Sequence, residues 1–224
     1  MSNSNEAHFD RSLPLALNAN GGFKWIAAIV LAVWFALVMS LGGAGAFVTP
    51  PGQPPLAIGL GFGVPLVLFF AALGVSRAFR EFVRALDVRV MLGVQAWRAG
   101  GLGFLALYTY GVLPGAFALP AGLGDIAIGV TAPWLLLAVI RQPRFIASKT
   151  FAVWNALGIL DLVVAVGSGT LTSALATGAA GEVTTAPMAL LPLVVIPAYL
   201  VPIFIMLHVA ALMQARRVAA EIRS

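Results

Sequence analysis

Residues 56–75 read LAIGLGFGVPLVLFFAALGV, a run of 20 residues without an ionisable side chain. A run of about 20 apolar residues is long enough to cross the hydrocarbon core of a bilayer as a helix. The rest of the chain has the same character, because 61% of its 224 residues are hydrophobic and only 9% are charged. Since a soluble domain carries roughly 25% charged residues, this composition predicts an integral membrane protein.

Five further apolar runs, separated by Gly/Pro-rich turns or basic loops, complete a predicted bundle of six transmembrane helices. The predicted spans are residues 23–41, 56–75, 91–112, 117–140, 151–168 and 187–213. The transmembrane domain is thus expected over residues 23–213, between a polar, irregular cytoplasmic tail (1–22) and a basic cytoplasmic tail (214–224). Because backbone groups inside a bilayer must be bonded within the chain, the predicted fold class is all-α, arranged as three helical hairpins.

The basic residues are distributed unevenly between the predicted loops, and this predicts the orientation. The second loop, the fourth loop and the C-terminal tail contain Arg77, Arg80, Arg84, Arg89, Arg141, Arg144, Lys149, Arg216, Arg217 and Arg223. The three intervening loops contain no Lys or Arg. Since basic loops remain in the cytoplasm, both termini are predicted to be cytoplasmic (N-in/C-in). The net charge of +5 then reflects contact with lipid headgroups, and no nucleic-acid partner is expected.

The second loop also contains a predicted amphipathic helix over residues 76–90, SRAFREFVRALDVRV. Its apolar side chains recur at helical spacing on the face opposite Arg77, Arg80 and Arg84, as is typical of a helix at the membrane interface. Ala44-Gly45-Ala46 is similar to a signal-peptide cleavage site. However, the apolar run before it is long and the preceding segment is weakly basic, so the first span is expected to be retained. Arg outnumbers Lys by 11 to 2, which favours a bacterial inner-membrane protein from a GC-rich genome.

A few polar residues lie inside the predicted spans, where a charge is costly unless it is paired. They are Gln95, Arg98, Asp125, Asn155, Asp161 and His208. Asp161 is predicted near the midplane, on a stripe of small and polar residues along the fifth span that must face protein or water. Asp125 is expected at a similar depth, and Arg98 is expected either to neutralise one of these acids or to extend to the inner headgroups. A coupling site that exchanges a proton and a purely structural ion pair both fit this pattern.

No cofactor or metal site is expected. The chain has no cysteine, and its only histidines are His8, in the tail, and His208, predicted to be a packing residue near the inner end of the sixth span. Haem ligation by two histidines within the bundle is therefore excluded, and the usual zinc sites lack ligands. A retinal Schiff base would need a lysine at mid-membrane depth, whereas Lys24 and Lys149 lie at the edges of spans.

Prolines repeat every five residues along the predicted sixth span, at Pro187, Pro192, Pro197 and Pro202. Pro197 and Pro202 are predicted to kink its interior and to expose the carbonyls of Leu193 and Ala198. Broken helices of this kind form binding sites in transporters. A short internal similarity points the same way, because Trp97-Arg98-Ala99 with Gly101 resembles Trp154-Asn155-Ala156 with Gly158, as a duplicated hairpin would.

Gly122-Leu123-Gly124-Asp125 resembles the GxGD motif of the intramembrane aspartyl proteases, and Pro197-Ala198 resembles that family's proline-containing motif. The resemblance implies that Asp125 and a second acid, Asp161, share a proton and activate water for hydrolysis. The order departs from that family, which places its other aspartate before GxGD.

The predicted function is a small-solute or proton-linked transporter or channel, rather than an enzyme. Asp161 and Asp125 would be its coupling acids and Arg98 their counter-ion. One alternative is an accessory or assembly subunit of a larger membrane complex, and a second is an intramembrane aspartyl-type hydrolase. The expected partners are the lipid bilayer, a small solute or proton, and another membrane protein or a second copy of the chain. A cavity that reaches Asp161 would favour transport.

Overall fold

A computed structural model describes the backbone of residues 13–223 and the side chains of residues 22–222. The regular structure in this range is entirely helical, and six helices are long and apolar enough to cross a membrane. These are Gly22–Gly43, Leu56–Val75, Val88–Thr109, Gly115–Arg141, Lys149–Ala174 and Ile196–Ile222. The all-α class and the number of spans are therefore confirmed.

The helices are α1 (Leu13–Gly43), α2 (Leu56–Val75), α3 (Arg77–Arg84), α4 (Val88–Gln95), α5 (Leu102–Thr109), α6 (Gly115–Arg141), α7 (Lys149–Ala174) and α8 (Val201–Arg223). Their outer surfaces are apolar: α2 has no buried residue, and large side chains such as Leu60, Trp134 and Leu157 are exposed. Exposed apolar surface on this scale marks a membrane-facing protein. The structure thus supports a multi-pass membrane protein.

The described chain falls into two compact units, which divide after Leu37. The first unit contains the beginning of α1, which starts at Leu13 and not near Phe23. The prediction of an irregular segment is therefore wrong for residues 13–22, where Leu and Ala, both good helix formers, are frequent. The part of the predicted tail before Leu13 lies outside the described residues. The second unit contains the end of α1 and the helices α2 to α8.

The predicted amphipathic helix over residues 76–90 is shorter in the structure, because α3 ends at Arg84. Asp87 begins a new helix, α4, by accepting a hydrogen bond on Oδ1 from the backbone N–H of Arg89 at 2.8 Å. A short 3-10 helix, Ala96–Gly101 (the 3-10 turn), then joins α4 to α5 within the third span. The location of α3 at the membrane interface stays a prediction.

The sixth span begins at Ile196 and not at Pro187, so this predicted boundary is wrong. Prolines lack the N–H that a helix needs, and residues 191–194 form turns just before the π-helical segment Ile196–Leu200. Pro197 and Pro202 therefore lie near the beginning of the sixth span, at and just after its π-helical segment. A kink at these prolines stays a prediction. The carbonyl of Leu193, predicted to be exposed, accepts a hydrogen bond from the N–H of Ile196 at 3.0 Å. The predicted basic tail continues α8 as far as Arg223.

Glycines bring the third span into close contact with α6. A Cβ added at Gly101 would lie 2.6 Å from the Cβ of Asp125 and 2.8 Å from the carbonyl oxygen of Gly122. Real Cβ atoms do not approach this closely, so the contact needs glycine. Gly129, one α6 turn beyond Asp125, likewise faces the backbone of Arg98 and Ala99. These contacts position the 3-10 turn, and with it Arg98, directly against α6.

Candidate functional site

Arg98 lies on the 3-10 turn in the middle of the third span, and its side chain is completely buried. Its Nε donates to Oδ1 of Asp125 on α6 at 2.7 Å, and its Nη2 donates to Oδ2 of Asp161 on α7. The guanidinium thus joins three spans and does not extend to the headgroups. Planar Arg is suited to this role because it presents donors in a fixed fork.

The remaining contacts of Arg98 continue to α8. Its Nη1 donates to the carbonyl of Gly158 at 3.3 Å and to Nε2 of His208 at 3.1 Å. Because a guanidinium can only donate, Nε2 of His208 must be the unprotonated nitrogen and Nδ1 must carry the hydrogen. That hydrogen is donated to Oδ1 of Asn155 at 2.9 Å, and Nδ2 of Asn155 donates to the carbonyl of Phe151 at 2.9 Å. The geometry therefore requires a neutral His208.

We call Arg98, Asp125, Asn155, Asp161 and His208 the Arg98 cluster. Four spans contribute to it, and all five members were predicted as polar residues inside the spans. Helical spacing placed two of them, Asn155 and Asp161, on one face of the fifth span. Asn155 and His208 are each 1% exposed, while the side chains of Asp125 and Asp161 are 15% and 13% exposed. The two acids are thus the least enclosed members.

The cluster contains more acid than base. With His208 neutral, the single positive charge of Arg98 faces two carboxylates, so one negative charge is in excess when both are ionised. An uncompensated charge in a low-dielectric interior is costly. One further positive charge, such as a proton on either carboxylate, would balance the cluster.

Sequence reasoning missed the residues that hold His208 in place. The ring of Trp154 packs edge-on against the imidazole, with centroids 5.4 Å apart, and its Nε1 donates to Oγ1 of Thr131 at 2.8 Å. The imidazole also lies directly over Gly158, where a Cβ would overlap it. The similarity between the segments around Arg98 and Asn155 was the available signal, because both Asn155 and Gly158 belong to it.

Three predicted site residues lie outside the cluster. Gln95 is buried on α4, where its Nε2 donates to the carbonyl of Phe204 at 3.2 Å. Its Oε1 is the one buried side-chain oxygen or nitrogen in the described part of the chain without a hydrogen bond. Pro202 is buried at the start of α8, and Pro197 lines a cavity.

That cavity has a volume of about 130 Å³ and lies beside the cluster. It extends from two loops, around Thr49 and Thr184, along α6 and α7 to the level of Asp125 and Leu162. The walls are mostly apolar and include Ile58, Phe104, Phe117, Leu162, Met188 and Ile196. Asp125 is the only ionisable residue among the residues that line it, whereas Asp161 is not among them. The cavity therefore leads to the acid that Arg98 holds through Nε.

Comparison with the curated proteins and with the solved structures gives no match. A family model described as a domain of unknown function, DUF8737, matches residues 55–216. The matched region begins with α2, after α1, and contains every member of the Arg98 cluster. Because the match covers well over half of the chain, the protein belongs to the DUF8737 family.

Proposed function

We propose that the protein is a small-solute or proton-linked transporter of a bacterial inner membrane, with Asp125 and Asp161 as its coupling acids and Arg98 as their counter-ion. The observation that carries this proposal is the cavity, which extends from the loops at one end of the bundle to Asp125. A structural ion pair needs no cavity beside it. Intramembrane acids next to such a space are typical of substrate and proton pathways.

The charge balance of the cluster supports coupling. A proton that reaches Asp125 through the cavity removes the excess negative charge, and its departure restores it. Arg98 bonds both acids. A change in the protonation of Asp125 therefore alters the electrostatic environment of Asp161, and the two acids titrate as a coupled pair. The π-helical start of the sixth span, where Pro197 lines the cavity, is the expected moving element.

The distribution of basic residues supports a bundle with both termini in the cytoplasm. The loops at the open end of the cavity contain no Lys or Arg, so the cavity is proposed to face outward. Single cysteines at Glu182, Arg84, Arg144 and Arg217, probed with an impermeant thiol reagent on intact cells, should be labelled only at position 182. Labelling at position 144 would contradict the topology.

The transport proposal is tested in proteoliposomes. Asp161→Asn keeps the shape and hydrogen bonding of the side chain but removes its charge, so it should abolish flux driven by a pH gradient and leave the helical circular dichroism unchanged. Asp125→Asn should weaken flux or change its pH dependence. Glu81→Gln is the matched control, since Glu81 lies in an exposed pair with Arg77, and it should have no effect. A wild-type protein that transports neither protons nor solute would refute the proposal.

An accessory subunit is the second candidate, and α2 is the observation that favours it. No residue of α2 is buried, and a Cβ at Gly59 or Gly63 would meet nothing within 4 Å among the described residues. A GxxxG surface of this kind suits a partner helix. Under this alternative, wild-type protein would show no flux and would co-purify with a partner that Gly63→Leu releases. A hydrolase is less well supported, because the guanidinium bonds both carboxylates instead of leaving them to share a water.

A further inference from the structure

Asp125 lines the cavity and has a carboxylate oxygen, Oδ2, that accepts no hydrogen bond within the described part of the chain. Only its Oδ1 accepts a hydrogen bond within the described part of the chain, and that bond comes from Arg98. The groups that face Asp125 from the packed elements are Arg98 on the 3-10 turn and Asp161 on α7, while His208 on α8 is neutral and reached through Arg98. The second carboxylate oxygen is thus available to a ligand, in a site with one excess negative charge.

Charge around the cavity favours a cation over an anion. No basic side chain lines the cavity. The only ionisable residue in the loops at its open end, residues 44–55 and 175–195, is Glu182. An anion would meet the excess charge of Asp125 and Asp161, and a neutral solute would leave that charge uncompensated. A positive ligand removes the imbalance.

The walls favour an organic cation over a metal ion. Hard cations such as Ca²⁺ and Mg²⁺ take about six or more oxygen ligands around one point. This cavity has a single carboxylate, and its hydroxyl side chains lie in the loops or on the last turns of α7, away from Asp125. Phe104 and Phe117, with ring centroids 5.5 Å apart, offer aromatic surface to an apolar or cationic group. The volume of about 130 Å³ is close to the ~150 Å³ of an apolar cavity that binds benzene.

We infer that the cavity binds a small hydrophobic monocation, with a phenyl-sized apolar body between the walls and an ammonium group at Asp125. This inference rests on the transport function proposed above and names its substrate class. Because the cluster has one positive charge fewer than it has carboxylates, the ligand and a proton compete to neutralise the same negative charge. Binding of the cation therefore displaces a proton, and the coupling is an exchange of one for the other.

Calorimetry on purified protein in detergent tests this inference with 2-phenylethylammonium as the probe. The probe stays charged between pH 6 and pH 8, as a lysine side chain does. It should bind, release protons into a weakly buffered solution, and lose affinity as the pH is lowered. The neutral analogue 2-phenylethanol should bind at least about tenfold more weakly, a difference of about 1.4 kcal/mol.

Two variants locate the site. Asp125→Asn balances the charge of the cluster and should remove both the preference for the cation and the proton release. Ala165→Leu keeps every charge but fills the cavity, where Ala165 lies on the α7 wall, and should weaken 2-phenylethylammonium binding at least about tenfold. Glu81→Gln should bind as wild type. Ala165→Leu keeps the test decisive if Asp125→Asn does not fold.

Equal affinity for the alcohol and the cation, or cation binding that neither variant weakens, would overturn the inference. The outcome separates it from the transport proposal. Proton-driven flux without cation binding refutes the cation site alone, whereas cation binding without any flux refutes transport and leaves the site in place.

Discussion

The Arg98 cluster and the cavity beside it share one bundle but are built in opposite ways. The cluster is nearly closed, is held by charged and polar groups from four spans, and depends on glycines that allow backbones to touch. The cavity is lined by apolar side chains and loop residues, with one ionisable group. Asp125 belongs to both regions. From this difference we expect substitutions in the cluster to act mainly on stability and substitutions in the cavity to act mainly on access to Asp125.

The largest expected effect comes from removing the centre of the cluster. Arg98→Ala leaves two carboxylates inside the bundle without their partner, and breaking a buried ion pair costs about 3–5 kcal/mol. Adding Asp125→Asn or Asp161→Asn should recover part of this loss, because each removes one unpaired charge. Unfolding in detergent, measured over both double-mutant cycles, gives the coupling energies.

Arg77→Ala is the matched control for this cycle, because its pair with Glu81 is exposed and should contribute only about 0–1 kcal/mol. Simple additivity of Arg98→Ala with both acid substitutions would show that the cluster does not hold the helices together.

Close helix contact predicts the next largest effect. In Gly158→Ala the new methyl group would overlap the imidazole of His208, and overpacking of this kind costs about 1–3 kcal/mol. Gly63→Ala on α2 meets nothing within 4 Å among the described residues and should be neutral or stabilise the helix by roughly 0.5–1 kcal/mol. Thermal unfolding of the two variants compares them directly. Equal stabilities would mean that His208 moves away freely.

The sequence predicted the members of the Arg98 cluster better than the hydrogen bonds between them. Helical spacing placed Asn155, Gly158 and Asp161 on one face of α7, and in the structure Asn155 and Gly158 are buried while Asp161 bonds Arg98. The simultaneous contact of Arg98 with both acids was not predictable. It depends on the 3-10 turn and on close contact with α6 at Gly129, neither of which the residue pattern of a single span encodes.

The internal similarity between the third and fifth spans shows the same limit. Trp97 and Trp154 occupy matched positions, yet Trp97 is 82% exposed and Trp154 is 8% exposed. Arg98 and Asn155, the residues after them, both join the cluster. A shared pattern thus predicted which positions matter but not which side chains each one contacts.

The cavity was not predictable, because no single segment forms it. Its walls come from five helices (α2, α5, α6, α7 and α8), two loops and the short 3-10 and π-helical segments before α8. Taken singly, each of these segments has only an apolar pattern. The prolines of the sixth span were the only feature of the sequence that pointed to this region. Their effect was to delay the sixth helix to Ile196, whereas spacing alone predicted a kinked helix from Pro187.

A smaller effect is expected at Gln95, which is buried but lies outside both regions. Gln95→Leu loses the hydrogen bond to Phe204, worth about 1 kcal/mol, and also removes the unbonded Oε1. These changes oppose each other, so the free energy of unfolding should change by less than about 1 kcal/mol. Gln95→Glu is the contrasting variant. It buries an unpaired charge and should lower the free energy of unfolding by more than Gln95→Leu does. A loss from Gln95→Leu as large as that from Arg98→Ala would place Gln95 within the polar core.

The smallest effect should be confined to the loop at the open end of the cavity. The carboxylate of Glu182 accepts hydrogen bonds from the N–H groups of Thr177 and Gly178, at 2.9 Å and 2.7 Å to Oε2, and from the hydroxyl of Thr177. The bonds from Thr177 are the main cause that lowers the pKa of Glu182 below its ordinary value of 4.5. A lowered pKa means that the loop contacts are fully present above that value and are lost as the pH falls through the pKa in the folded protein.

Hydrogen exchange measures this local effect. The amides of Thr177 and Gly178 should be protected at neutral pH and lose protection, after correction for intrinsic rates, as the pH falls through the lowered pKa of Glu182. Glu182→Gln should remove the pH dependence, because the amide accepts fewer and weaker bonds and does not titrate in this range. The Arg98 cluster should be unaffected, since no hydrogen bond or ion pair joins it to this loop within the described residues. Protection that does not change between pH 7 and pH 3 would show that the loop holds its shape without the charge of Glu182.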